Sequence, residues 1–217
     1  MASRAHYNLG FTLIELMVTL TVLVILTLLA LPSFQSFQQR SALRGATEQV
    51  VGFWNQARLE AAKRNQLVKV GIKTSGSNFC LGAAQLTAAE QATLDGGTAI
   101  TTPCDCFTAN ACDVAGFPAP PVSGYDTQSE WRGVTFLTTT GVTPTLGGTD
   151  KSVAVIEPKS ASLANPSPAG LLSFAGPAGG KSYRLNLYID TFGKAVLCES
   201  SSTADHMSDY ANRPCAP

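Results

Sequence analysis

The chain has 217 residues, and its 15 lysines and arginines are balanced by 15 aspartates and glutamates. A protein whose whole surface binds nucleic acid carries an excess of positive charge, so this neutral balance argues against that class. Charged residues make up 14% of the chain, against about a quarter in typical soluble domains. Length and composition therefore predict one globular domain together with a non-globular segment.

A short polar leader precedes a long apolar run at the N-terminus. Residues 1–10 include Arg4 and His6, and the run of residues 11–31 contains one charged residue, Glu15. At about 1.5 Å per residue, a helix of this length spans about 30 Å, the thickness of the hydrocarbon core of a bilayer. The run predicts a membrane-spanning helix. Pro32 is expected to kink it, because proline removes a backbone hydrogen bond.

The position of Gly10 separates this segment from an ordinary secretory signal, which is cut behind small residues after its apolar region. No such pair of small residues follows the run, whereas Gly10 lies before it. A cut after Gly10 would keep the helix on the mature protein and free an amine on Phe11. That amine could pair with Glu15, whose carboxylate costs about 2.5–3.5 kcal/mol near the bilayer centre and less near its edge. The alternative is a plain membrane anchor with Glu15 at the interface.

Residues 10–16, Gly-Phe-Thr-Leu-Ile-Glu-Leu, resemble the type IV prepilin signature, and Pro32 lies where these proteins have a helix-kinking proline. The resemblance implies that a prepilin peptidase cuts between Gly10 and Phe11 and methylates the Phe11 amine. It also implies that Glu15 pairs with the N-terminus of a neighbouring subunit while the filament is assembled.

After Pro32 the pattern predicts a second, amphipathic half of the same helix, which ends near Asn65. Apolar side chains recur about every 3.6 residues and are expected to face a sheet; they are Phe34, Phe37, Val50, Trp54, Ala57 and Ala61. The period then shifts towards two. Strands are predicted at 67–73, 78–82, 133–137, 152–156, 171–174, 183–189 and 194–198, with a short helix at 86–94. The predicted class is α+β, with a long N-terminal helix packed on an antiparallel sheet.

This order, with the late Phe-Ala-Gly-Pro-Ala-Gly-Gly turn at 174–180 and the closing run at 190–198, looks like the H-type pseudopilins and the FimT/FimU-type minor pilins. The resemblance implies a leader at 1–10, a transmembrane and assembly helix at 11–32, and a periplasmic pilin-like domain at 33–217. It implies a single-pass protein of the inner membrane that later lies in a filament or at its tip. The implied partners are other pilins or pseudopilins and an inner-membrane assembly platform.

Six cysteines follow residue 79, and an exported body allows them to form disulfides. Pilins often close a C-terminal loop with a disulfide, which here implies a bond between Cys198 and Cys215. The remaining four are Cys80, Cys104, Cys106 and Cys112. Because Cys104 and Cys106 lie too close to pair easily with each other, their partners are expected to be Cys80 and Cys112, in either order. A zinc site built from these four thiols is the alternative, although its spacing is unusual for zinc.

No motif supports catalysis, and no cofactor or metal is expected. The leader's His6 would be removed with cleavage, which leaves His206 as the one candidate for a hydrolytic dyad, without a G-x-S-x-G motif behind it. Asp205 and Asp209 beside it could help to hold calcium in the C-terminal loop, but they lack the EF-hand pattern. Solvated loop charges are the simpler interpretation.

DNA binding is a further alternative. Some FimT-type pilins take up DNA through a Gly-Arg-x-Arg motif, but the matching turn here is Gly193-Lys194-Ala195-Val196 and has no arginine pair. Cations that could contact phosphates are scattered; they are Lys181, Arg184, Lys194 and Arg213. The sequence thus predicts a minor pilin of a type IV pilus or of its priming tip. The alternatives are an H-type pseudopilin of type II secretion and a DNA-binding minor pilin.

Overall fold

A computed structural model gives the fold of the chain. It describes residues 11–75, 78–108, 111–112, 114, 133–137, 153–164, 170–177, 179–199, 205–210, 213 and 215. The predictions for Gly10 and for the rest of the leader lie outside these residues.

One helix, α1 (Leu13–Arg64), runs for 52 residues. It begins where Thr12, in extended conformation, accepts a hydrogen bond from the backbone N–H of Glu15 through its side chain. It ends at Asn65, whose left-handed backbone (φ 51°) closes the last turn, as the sequence predicted. The helix continues through position 32, and the kink at Pro32 stays a prediction.

The body half of α1 buries one stripe of side chains. Buried positions recur every three or four residues, as a helical period requires; they are Gln39, Leu43, Ala46, Thr47, Val50, Phe53, Trp54, Ala57 and Ala61. The prediction that Phe34 and Phe37 belong to this buried face is wrong, since they are 58% and 60% exposed. Packing against the sheets begins only at Gln39, and both aromatic side chains lie before that point.

Seven strands form two antiparallel sheets behind the helix. The first sheet has the order β2–β1–β4, and the second has the order β3–β5–β6–β7. Their bounds are β1 (Val68–Ser75), β2 (Asn78–Gln85), β3 (Thr135–Leu137), β4 (Val153–Ile156), β5 (Gly170–Ala175), β6 (Arg184–Ile189) and β7 (Ala195–Cys198). A short helix, α2 (Ala88–Asp95), follows β2. Every predicted strand has a counterpart, and the predicted α+β class is confirmed.

The helix α1 packs on strands of both sheets, so one core joins the two. Direct hydrogen bonds fix its position along β6. Near the start of the body, Gln39 Nε2 donates to the carbonyl of Pro177 at 3.1 Å. Four turns later, the buried indole N–H of Trp54 donates to the carbonyl of Gly193 at 2.8 Å. The turn before β6 therefore lies beside the first part of the body helix, and the turn after β6 lies far along it.

Two disulfides lie next to each other on β2. Cys80 bonds to Cys106, and Cys104 bonds to Cys112. Cys80 and Gly82 share one face of the strand, because side chains two residues apart point the same way. A Cβ at Gly82 would overlap the Sγ atoms of the second disulfide, so glycine leaves the space that this bond occupies. All four thiols are consumed, which removes the ligands that the zinc alternative requires.

Candidate functional site

The first half of α1 presents an apolar surface all the way round. The large apolar side chains between residues 11 and 31 are at least half exposed, and Phe11, just before the helix, is 84% exposed. The most apolar stretch of this helix has a mean hydropathy of 2.6, and none of that stretch is buried within the chain. Such a surface is unstable in water and fits a bilayer or a bundle of similar helices. The helix therefore fits membrane anchoring.

Hydroxyl groups in this half are satisfied within the helix itself. Thr19 donates to the carbonyl of Leu16 at 2.9 Å, and Thr27 donates to that of Val24 at 2.8 Å. Thr21 donates to the carbonyl of Met17, four residues earlier, at 2.8 Å. An apolar medium offers no water to such donors, so bonding back to the preceding turn lets the threonines enter it at low cost.

Glu15 lies in the first turn of α1, and its side chain is exposed. A carboxylate at this position interacts favourably with the free N–H groups at the helix start. It lies four residues after Phe11, which precedes the Thr12 N-cap and is outside the helix. The structure therefore puts the acid at the extreme end of an apolar rod. There it is accessible to an amine at position 11 of this chain or of another.

The C-terminal loop is closed by the disulfide between Cys198 and Cys215, as the resemblance implied. Inside it, Glu199 is almost fully buried, with a side chain 4% exposed. One of its carboxylate oxygens accepts a hydrogen bond from the backbone N–H of Met207 at 2.7 Å. The other faces Nδ1 of His206 at 3.3 Å. Glu199 thus lies beside His206, the one histidine for which the sequence suggested catalysis, but this second oxygen accepts no hydrogen bond from the described residues.

Sequence reasoning missed Glu199, because a lone glutamate after a strand carries no pattern that distinguishes it from a surface residue. The two acids it did single out contact different groups. Asp205 accepts a hydrogen bond from the backbone N–H of Ser182 at 2.8 Å, and Asp209 forms an ion pair with Arg44 at 3.1 Å. Within the described part of the chain, no cluster of three or more potential metal ligands occurs.

Arg44 and Asp209 form one edge of a groove between α1 and the C-terminal loop. The groove has a volume of about 340 Å³, and its other lining residues include Phe37, Arg40 and Met207. The opening lies at the end of the body nearest the exposed half of α1. Phe37 supplies exposed apolar surface to it, and Arg40 supplies a positive charge.

The four cations considered for DNA binding are spread over the body. Lys181 follows the predicted turn at 174–180 and Arg184 begins β6, whereas Lys194 lies in the turn after β6, at the other end of that strand. Arg213 stacks over the ring of Tyr210 in the C-terminal loop, at 5.8 Å from the ring centroid. The structure does not gather them into one phosphate-binding patch.

Two ion pairs hold the segment after β2 against β1. Burial alone would raise the pKa of the Glu90 carboxyl, but hydrogen bonds from Lys69 and from the backbone of Thr87 outweigh burial and bring the pKa below its ordinary value. Lys73 lies 2.7 Å from Asp105 and, by its hydrogen bond, lowers the pKa of that carboxyl. These pairs support the body and lie away from the apolar helix half.

Residues 6–31 match the Prokaryotic N-terminal methylation motif. In this chain the motif leads into a long apolar helix, which is followed by an α+β body. The predicted prepilin-type N-terminus is thereby confirmed. Among solved structures, the chain is similar to the type IV minor pilin FimU of Pseudomonas aeruginosa strain PAO1. The two share 16% identity over 83% of this chain and 99% of that chain, with a TM-score of 0.40. No curated protein matches the chain.

Proposed function

We propose that the chain is a minor pilin, assembled into a type IV pilus or into its priming tip. The observation that carries the proposal is the methylation motif at the head of an exposed apolar helix. A helix of this kind needs a bilayer before assembly and other helices after it. The same surface therefore serves both states, and no enzymatic turnover is required of the body.

In this proposal a prepilin peptidase cuts between Gly10 and Phe11 and methylates the new amine. Before assembly the helix of residues 11–32 holds the subunit in the inner membrane, with the body on the periplasmic side. Glu15 then attracts the Phe11 amine of a neighbouring pilin at the assembly platform. Charge attraction is strong there because an apolar bundle has a low effective dielectric constant.

The test replaces Glu15 and measures the amount of the subunit in sheared filaments relative to the membrane fraction. Glu15→Ala is expected to remain membrane-bound and cleaved but to be depleted from filaments at least about tenfold, which corresponds to about 1.4 kcal/mol. Glu48→Ala, an exposed acid on the body half of α1, is the matched control and is expected to assemble normally. Normal incorporation of the Glu15 variant would refute the assigned role.

Cleavage is tested separately by replacing Gly10 and following the mass of the N-terminal peptide. Retention of residues 1–10 with loss of N-methylation is the expected result.

Deleting the gene, with twitching motility and protein secretion both measured, separates the two filament systems. Lost secretion with normal pili would refute the pilus assignment in favour of the type II secretion system.

A further inference from the structure

The continuous helix fixes how far the body lies from the membrane. If the apolar run ends at Leu31, then Gln39, the first buried residue of the body, follows about 12 Å further along the axis. The hydrogen bond from Gln39 to Pro177 places the turn before β6 at this level. The headgroup layer outside the hydrocarbon core is about 5–8 Å thick on each side. This end of the body therefore lies about 4–7 Å beyond the headgroup layer.

Arg40 extends back towards the bilayer. Helical side chains lean towards the helix N-terminus, and Nε of Arg40 donates to the carbonyl of Ser36, one turn closer to the membrane, at 3.4 Å. Ser36 lies about 7.5 Å beyond Leu31, at the depth of the headgroups. The ring of Tyr183 packs under the guanidinium, 5.9 Å from ring centroid to Cζ. The positive charge is thus held at headgroup depth.

Three cations at this end lack a carboxylate partner among the described residues. They are Arg40, Lys181 and Arg184, and both of the latter are exposed. Their neighbour Arg44 differs, because Glu48 at 2.8 Å and Asp209 at 3.1 Å neutralise it. Unpaired cations at this depth complement an anionic surface, where each contributes about 1 kcal/mol.

Two exposed aromatic side chains lie on the membrane side of these cations. Phe34 and Phe37 follow Leu31 by about 4.5 and 9 Å. Phe34 thus lies within the headgroup layer and Phe37 near its outer side, where an apolar ring can bury its surface against lipid. Their exposure, which the packing of the body does not explain, is accounted for if lipid covers them.

We propose that Phe34, Phe37, Arg40, Lys181 and Arg184 form a membrane-facing rim that binds the headgroups of acidic phospholipids while the subunit is stored. The inference rests on the proposed function, in that α1 must span a bilayer. The phosphates contact the three cations, and the two rings enter the interface. Extraction into a filament breaks these contacts, so the rim opposes extraction from membranes rich in acidic lipid.

The experiment reconstitutes the full chain into vesicles of phosphatidylcholine with trace spin-labelled lipid. Electron spin resonance then gives the association of labelled phosphatidylglycerol relative to labelled phosphatidylcholine. The expected preference for the acidic lipid is about fivefold per contacted cation at low salt, and it falls in 0.5 M salt because charges are then screened within a few ångströms. The triple variant Arg40→Gln, Lys181→Gln, Arg184→Gln is expected to bind both lipids equally.

The matched control removes three exposed cations from the far end of the body, in the variant Lys63→Gln, Lys159→Gln, Lys194→Gln. It is expected to keep the wild-type lipid preference. Unchanged tryptophan fluorescence checks that each variant is folded. If the wild-type chain enters the bilayer but shows no preference for the acidic lipid, the proposed lipid-binding rim is refuted. A rim-dependent dimer without lipid preference also overturns it and assigns the surface to a second copy. Extraction of the chain by alkaline carbonate would instead refute the membrane-spanning helix and, with it, the proposed function.

Discussion

Replacing Gly193 by alanine tests how the turn after β6 joins the helix to the second sheet. Gly193 has φ +74°, a conformation that costs an L-residue about 1–2 kcal/mol. A Cβ there would lie 2.6 Å from the carbonyl oxygen of Ala161 and 3.2 Å from Nε of Arg58, so the turn must move. Movement weakens the bond that the buried indole of Trp54 makes to the Gly193 carbonyl, and an unpaired buried donor costs about 1–3 kcal/mol.

The expected loss for Gly193→Ala is therefore about 2–5 kcal/mol, or roughly 4–20 °C in Tm for a chain of this size. The assay is thermal and urea unfolding of the full chain in detergent, followed by tryptophan fluorescence. Gly52→Ala is the control, since this exposed helical glycine has nothing within 4 Å of a new Cβ. It should stabilise by about 1 kcal/mol. A Gly193 variant within about 0.5 kcal/mol of wild type, the usual range for neutral surface changes, would refute the reasoning.

Three further changes test the body. Gly82→Ala should cost about 1–3 kcal/mol because its Cβ overlaps the neighbouring disulfide; urea unfolding and a titration of free thiols measure this, and an unchanged unfolding midpoint would contradict it. Replacing Cys198 and Cys215 together by serine should cost about 3 kcal/mol, the entropy of the loop that their disulfide closes, in the same unfolding assay. Glu90→Gln should destabilise by about 1.5–3 kcal/mol at neutral pH by breaking the pair with Lys69. Because the folded pKa of Glu90 is lowered, its contribution is complete above the ordinary value of about 4.3 and is lost as pH falls below it. Unfolding curves between pH 7 and 3 should therefore show a shallower acid loss in the variant, and parallel curves would count against the pair.

Local patterns were enough to predict the elements of the fold. Alternation along residues 183–189 identified β6, and the αL-tolerant Asn65 marked the end of α1. The period of α1 also identified Val50, Trp54, Ala57 and Ala61 as buried, although it missed the neighbouring Phe53. It could not say where packing starts, because Phe34 and Phe37 fit the same helical face and only the reach of the sheets leaves them exposed.

The pairing of Cys80, Cys104, Cys106 and Cys112 could not be predicted from local sequence patterns. The closeness of Cys104 and Cys106 excluded a bond between them but left two pairings open. The choice depends on how the segment after α2 crosses β2, which places Cys106 at Cys80 and leaves Cys112 for Cys104. The folded C-terminal loop likewise placed His206 against Glu199, a contact within the loop that its sequence did not indicate. Side chains that come together only when the chain folds have no characteristic spacing in the sequence by which their contact could be predicted.

Because α1 is uninterrupted, it holds the body at a fixed distance from the apolar end of the molecule. Its 52 residues measure about 78 Å, and the shared core prevents the body from swinging on the second half. A shift of one residue between two packed helices at the Glu15 end therefore displaces one body against the next by about 1.5 Å. The spacing and rotational phase of bodies along a polymer of such subunits would be set at the apolar end, where the bodies themselves make no contact.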